Sequence, residues 1–493
     1  MNTLRHISLI VIALCLPFIL LSVCSIQPTF DDYTTLQSPW WVRVADPGYF
    51  FSDCLRRPFD ALLGAIVGWW PALFPTLNHV LIVLGHAAGA LLLFSTCRHL
   101  QLGFAATNIA VLFFFFSPAT LGVTLACDGF NQTFAQFWGL MSLRCYLVSR
   151  QRQELALRPT SVSCYAHHSW LLFVVLAVLS KENGLAWAVV PPIVGYAFQL
   201  TAFRTALRDA SRGLLLAVVY MLVYITLTLT GVLEYSEEYT EESMLSHLKD
   251  LVQVLAFTWV PLDYMSVCYA PLRNLPVAAV TALLSLPFLL TVGRRVWQTV
   301  TASDFCVLRR LLLLVACFFV LISPHLLTVV SIMHNYASLS MAALIVAVLL
   351  SSSSSCCRSV LPTFALFLAA TLFTYVHHYI AARESGLLGK HLAQQAIAAA
   401  GEPPQRAFVI NVDRPEEPRY SSFCVRPVDA FGWGLSVLHF SGYSWHTVIS
   451  EVRYDNYSPS QVQTAADSAL HAGCDVVWVV GHKADSLTVL TAR

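Results

Sequence analysis

Apolar residues run along this chain in unbroken stretches, not in the short alternations of a water-facing strand or helix. Runs near the length that crosses a bilayer fall at 6–24, 76–97, 104–125, 129–148, 169–187, 187–203, 213–232, 275–293, 311–332, 336–353 and 360–380. They predict about eleven transmembrane helices. Two intervening stretches are long, at 25–75 and 233–274. "SPWW", "GYFF", "VGWWPALF" and "AFTWVPLDY" make both aromatic-rich, as interfacial segments are. Long loops of this kind are functional more often than they are linkers.

The segment 246–271 decides the orientation. Counted as a span, it would put Arg294, Arg295, Arg309 and Arg310 outside; as an interfacial or re-entrant segment it leaves them inside. The positive-inside rule selects the second reading, because Arg98, Arg144, Arg150, Arg204, Arg208 and Arg212 then share their side. The N-terminus is cytoplasmic and the acidic "EYSEEYTEES" lies outside. The first run exceeds a secretory h-region, no A-x-A-like site follows it, and Val23 is a poor residue before a lipoprotein Cys24. It reads as a retained helix.

After residue 383 the pattern becomes that of a small outer α/β domain, which divides the chain into 1–382 and 383–493. "RAFVINVD" and "DVVWVVG" read as buried strands, and "SPSQVQTAADSALHAG" as a helix with a Ser start and a Gly stop. Cys424 and Cys474 fall here, as a disulfide or as two buried thiols.

Composition agrees with a polytopic α-helical membrane protein. Of 493 residues, 57% are hydrophobic and the mean hydropathy is +0.65, above the roughly 50% apolar content of soluble domains. A net charge of +1 gives no reason to expect nucleic acid as a partner. The 14 cysteines lack CxxC spacing, which makes most of them packing residues.

Ionisable groups collect on the outer side. Asp31 and Asp32 follow the first helix, and Arg56, Arg57 and Pro58 close that loop. His79 and His86 share one face of the next helix. Lys181 and Glu182 end the fifth run, and His334 and Tyr336 sit at the turn between the ninth and tenth. Each alone has a bland reading: a helix boundary, a packing histidine, an interfacial anchor. Convergence on one face raises their joint significance.

In this order the motifs resemble the GT-C superfamily of polyprenyl-phosphate-sugar-dependent glycosyltransferases. The nearest branch holds the protein O-mannosyltransferases and the transmembrane-and-tetratricopeptide-repeat O-mannosyltransferases. The matching pieces are Asp31–Asp32, Arg57–Pro58, His79 with His86, "FSPATLGVTLACDGFNQ" with Asp128, Ser180–Lys181–Glu182, and His334 with Tyr336. They span most of residues 25–340. Ile82 and Asn335 stand where family members often carry Asn and Arg, and the tail is not a tetratricopeptide array.

The resemblance implies sugar transfer from a polyprenyl-phosphate donor to an acceptor hydroxyl on the outer face, and direct displacement would invert the anomeric centre. The short tail without protein-binding repeats favours a bacterial inner membrane, and an endoplasmic reticulum membrane would satisfy the same topology. An acceptor hydroxyl needs a carboxylate base, worth typically ~10²–10⁴-fold; Asp31 and Asp32 are the candidates, Asp31 favoured. The departing lipid phosphate needs fixed cations. Arg56, Arg57, Lys181, His334 and Tyr336 are assigned to it, and His79, His86, Glu182 and Asp128 to the substrate pocket. The acceptor is a glycan, a lipid or a protein. No cofactor is required, and a divalent cation is compatible with the scheme. The competing function is a transporter or flippase of a lipid-linked saccharide, which would favour internal repeats and deep charges. An O-antigen-type polymerase or ligase would favour an arginine-rich outer loop, whereas these loops are acidic on balance.

Overall fold

The structure is a computed structural model, describing residues 3–29, 32–33, 57–155, 161–231, 244–261, 271–327, 332–351, 357–412, 427–442, 445, 448–483 and 486–491. Helices dominate. In chain order they are α1 (Ile7–Val23), α2 (Pro58–Trp69), α3 (Thr76–His99), α4 (Phe104–Phe116), α5 (Phe130–Leu155), α6 (Ser161–Ser180) and α7 (Val190–Ala197). They continue with α8 (Phe203–Leu229), α9 (Met244–Trp259), α10 (Pro271–Thr301), α11 (Phe305–Ile322), α12 (Leu339–Ser351) and α13 (Cys357–Ala400).

Among the described residues, six helices are long and apolar enough to cross a membrane. A seventh forms if α4 is joined to the 118–124 segment, across a 41° bend. Ser117–Pro118 causes the bend, because proline cannot donate to the helix and disfavours helical backbone before it. The Ser117 hydroxyl accepts the Ala119 N–H and restarts the chain beyond the break. The runs at 169–187 and 187–203 are separated by a 3₁₀ segment, Glu182–Ala188, and α7 follows at Val190 with Pro191 and Pro192 in its first turn. The interfacial segment expected at 246–271 contains α9, followed by residues outside the description.

Polar contacts tie the helices at one end. Asn108 of α4 accepts from the Ser8 N–H and hydroxyl of α1, at 3.0 and 2.6 Å. Buried Asp209 of α8 pairs with Arg150 of α5 and accepts from the Tyr146 hydroxyl at 3.0 Å. Removing one partner of such a buried pair costs about 3–5 kcal/mol. Beyond that anchor, most of α8 turns Leu215, Val218, Leu222 and Leu229 outward, as a lipid-facing helix does.

α13 is 44 residues long, about 66 Å at 1.5 Å per residue, roughly twice a hydrocarbon core of about 30 Å. The composition break at 382/383 therefore falls inside one continuous helix. Arg383, Glu384 and Lys390 are polar yet good helix formers, so charge changes there without breaking the backbone. The outer half of α13 presents Leu392, Ala393 and Ala396 to the tail.

The tail is a four-stranded sheet with helices on both faces. Its strands are β1 (Arg406–Val412), β2 (Glu451–Tyr457), β3 (Val476–Lys483) and β4 (Ser486–Thr491). Their order is β2-β1-β3-β4, with β1 parallel to both neighbours and β4 antiparallel to β3. Helices α14 (Pro427–Phe431), α15 (Leu435–Phe440) and the end of α13 cover Val409, Val476 and Trp478. Helix α16 (Val462–His471) covers Ile410, Val477 and Val479. The helix read at 458–473 starts later than its Ser, and Gly473 stops it with φ +89°. Cys474 is a buried free thiol, and Cys424 lies outside the described residues.

The tail rests on the helical body beside Tyr33. The His439 ring of α15 lies 6.0 Å from Tyr33 and 5.4 Å from Phe74, centroid to centroid. Close approach is possible because α13 carries Gly389, where a Cβ would overlap the Ala430 carbonyl oxygen.

Candidate functional site

Two groups of sequence-selected residues meet at one end of the helix bundle, on either side of segment 127–132. The first is built on Asp32, only 4% exposed. One carboxylate oxygen accepts the Thr29 N–H at 3.0 Å and the other the Cys127 N–H at 2.8 Å. Asp32 thus fastens the chain after α1 to the 3₁₀ turn Cys127–Gly129. The Asn78 amide donates to the Cys127 carbonyl at 3.3 Å, and His79 Nε2 lies 3.4 Å from the Cys127 thiol. Next to Asp32, the Tyr33 hydroxyl donates to the Pro28 carbonyl at 2.5 Å. Burial, with Asp32 nearby, pushes that phenol well above its ordinary range.

The second group surrounds the start of the Glu182–Ala188 segment. Arg57, at the N-terminus of α2, donates from Nε and Nη2 to the two Glu182 oxygens at 3.1 and 3.0 Å. The Asn183 amide donates both to Gln132 Oε1 at 3.0 Å and to His325 Nε2 at 2.8 Å. A neutral His325 therefore carries its proton on Nδ1. Its ring stacks on His334, centroids 4.2 Å apart and planes 16° apart. Lys181 is near enough for its charge to act on both rings.

The segment holding Lys181 and Glu182 is fixed from behind. Trp187 is buried against α5 at Gly139, where any side chain would collide with the indole. With Trp187 seated there, residues 181–183 are left facing Arg57 and the histidines.

His86 and Tyr336 form a third, separate arrangement. Both are buried. His86 Nε2 faces the Phe115 carbonyl at 3.1 Å, which can only accept, so the ring proton sits there. Nδ1 then accepts the Tyr336 hydroxyl at 2.8 Å. Phe115 stacks on the imidazole at 4.9 Å and 13°. This joins α3, α4 and the 3₁₀ turn Ile332–Ser338.

Of the remaining selected residues, Asp31, Arg56 and the Asp128 side chain lie outside the described residues. The sequence reading passed over Gln132, Asn183 and His325. Each had a signal, standing beside a selected motif: "FNQ", "KENG" and "SPHLL". Nothing in the spacing says that these three would be joined by hydrogen bonds. Among the described residues, no group of three or more His, Cys, Asp or Glu side chains could hold a metal ion.

No family model matches the chain, and no curated protein matches it. Among solved structures, it is similar to the archaeal oligosaccharyltransferase AglB from Archaeoglobus fulgidus, determined with an inhibitory peptide and a dolichol-phosphate. The likeness has a TM-score of 0.49 and 14% identity, and covers 96% of this chain and 69% of that chain. At that level it decides nothing about this protein.

Proposed function

We propose that this chain is an integral membrane glycosyltransferase of GT-C type, moving a sugar from a polyprenyl-phosphate donor to an acceptor hydroxyl at the outer face of a bacterial inner membrane. One observation carries the reading. Arg57, Lys181, His325 and His334, from separate parts of the chain, gather at the same end of the bundle as buried Asp32. Two cations with imidazole donors beside them, and one carboxylate to hold the loop in register, suit a lipid phosphate, whose charge grows as it leaves.

About eleven crossings fit the helix ends. Contacts Arg309–Ala197 and Gly103–Ser351 join turns at one end, and Arg57–Glu182 and Asp32–Cys127 join those at the other. α1, α5, α6 and the Glu182–Ala197 stretch complete the count as short or polar-ended spans. An odd count leaves the two ends on opposite sides, and the positive-inside rule favours the N-terminus inside and the tail outside.

In the reaction, the acceptor oxygen attacks the anomeric carbon while the bond from that carbon to the phosphate oxygen breaks. The electron pair leaves with the polyprenyl phosphate, and the acceptor proton passes to a carboxylate. The anomeric centre inverts. Both Asp32 oxygens already hold backbone N–H groups, so Asp32 orients the loop and Asp31 takes the proton. Arg57, Arg56 and Lys181 neutralise the phosphate, and His334 donates a hydrogen bond to it, held by its stack on His325 and the Asn183 amide behind that ring. His79, beside Cys127, and Asp128 are assigned to the substrate pocket. The acceptor is a glycan, a lipid or a protein.

The test is transfer from radiolabelled polyprenyl-phosphate sugars by the purified protein in detergent, against glycan, lipid and peptide acceptors. Asp31→Asn abolishing transfer with unchanged folding supports the assignment. Full activity of both Asp31→Asn and Asp32→Asn would remove the carboxylate base. Donor movement across vesicles without transfer would favour a flippase.

A further inference from the structure

At the opposite end of the bundle lies a cavity of about 220 Å³, lined by Leu100, Gln101, Leu102, Val307, Arg310, Val348 and Ser351. It opens where the α3–α4 turn, the start of α11 and the end of α12 meet, at the end to which the arginine distribution assigns the cytoplasm.

Three features of its wall point to an anionic guest. Among the described residues, Arg310 is the one charged residue on the wall, and its guanidinium lies 5.0 Å from the Phe198 ring centroid. None of these lining residues is acidic, so they supply no counter-charge to that guanidinium. Ser351 accepts the Gly103 N–H at 3.2 Å, which leaves its own O–H to donate. Finally, Gln101 has φ +60° just past the end of α3. Glycine is the residue that fits such a position without strain. Glutamine there places a carboxamide on the cavity wall.

We infer that this cavity binds a phosphate ester of glycerol size, with Arg310 as its cation and Gln101 and Ser351 as neutral donors. The volume falls below the roughly 300–1,000 Å³ of drug-sized ligand sites. The aliphatic floor of Leu100, Leu102, Val307 and Val348 matches the carbon side of a glycerophosphate. The shared chemistry belongs to a phospholipid headgroup and to a soluble phosphate ester alike. This site is independent of the transfer chemistry proposed above.

The experiment uses the delipidated full-length protein in neutral detergent. Thermal unfolding and native mass spectrometry follow titration with phosphatidylglycerol, sn-glycerol 3-phosphate and diacylglycerol. The expected result is saturable binding and a raised Tm with one or both phosphate compounds and none with diacylglycerol. A response to phosphatidylglycerol alone identifies the lipid as the source; an equal response to glycerol phosphate identifies the soluble ester. Arg310→Gln should weaken the response at least about tenfold, the value of a charge-assisted hydrogen bond. Exposed Arg294→Gln should leave it unchanged. Gln101→Gly relieves the backbone, so it should raise the Tm without ligand and weaken the ligand response. No response to either phosphate compound, or wild-type responses from both Arg310→Gln and Gln101→Gly, would overturn the site.

Discussion

Arg57 and Glu182 meet through two parallel hydrogen bonds, 3.1 and 3.0 Å, joining the N-terminus of α2 to the segment that follows α6. The pair is 28% and 26% exposed, so water screens it. Such pairs contribute about 0–1 kcal/mol to stability. A guanidinium fork facing a carboxylate can equally face a phosphate. Arg57→Ala is therefore expected to lower thermal stability only slightly and to raise the donor KM at least about tenfold. Donor-titrated transfer kinetics beside a melting curve check this. Unaltered KM and turnover would remove Arg57 from the donor site.

The two carboxylates after α1 should separate by experiment. Asp32→Asn puts an NH₂ where an oxygen now accepts an amide N–H, leaving that donor without an acceptor at about 1–3 kcal/mol. A lowered Tm is the expected outcome. Asp31→Asn should instead cost transfer about 10²–10⁴-fold with the Tm preserved. The reverse pattern would exchange their roles.

Tyr336→Phe tests whether the buried tyrosine holds structure or donor. Losing its hydroxyl leaves His86 Nδ1 without its partner in a phenylalanine-lined space, a cost of about 1–3 kcal/mol. The fold should weaken while the donor KM stays within about twofold of wild type. Normal stability with a large rise in KM would instead return Tyr336 to the phosphate.

The tail's seat depends on Gly389. An alanine there gains up to about 1 kcal/mol of helix propensity, yet its methyl would strike the Ala430 carbonyl. Overpacking of this kind costs about 1–3 kcal/mol, so α14 should lift away. Limited proteolysis is expected to cut Gly389→Ala faster between residues 401 and 427 than wild type. Equal cleavage rates would show that the contact is dispensable.

His334 offers the sharpest test of the hydrogen-bonded group behind the site. Asn183→Leu removes the donor to His325, leaving the imidazole stack without its tether to α5. Transfer is expected to fall through kcat, with His325→Asn partly retaining activity because its amide can still meet Asn183. Identical loss in both variants would argue for simple unfolding, which circular dichroism would detect.

Much of the helix order was legible because crossing a bilayer requires long apolar runs, and that requirement is written residue by residue. Bends and breaks were less so. The run at 104–125 carries its interruption in a single Ser–Pro, and hydropathy averages over it. The polarity change at 383 leaves no mark on the backbone, since helix propensity did not change there and α13 runs through it. β2, with its outward Arg453, Tyr454 and Asp455, shows little of a buried strand's pattern; pairing with β1 makes it one.

By itself, the sequence determined which segments are apolar enough for a membrane, which side is basic, and which ionisable residues lie near the helix ends. Those properties depend on local composition. Tertiary structure decided the partners: Glu182 for Arg57, Cys127 for Asp32, Tyr336 for His86, and the Asn183 link from Gln132 to His325. Hydrogen bonds between residues dozens to hundreds of positions apart depend on how helices pack, and packing is set by volumes and surfaces that no single segment carries.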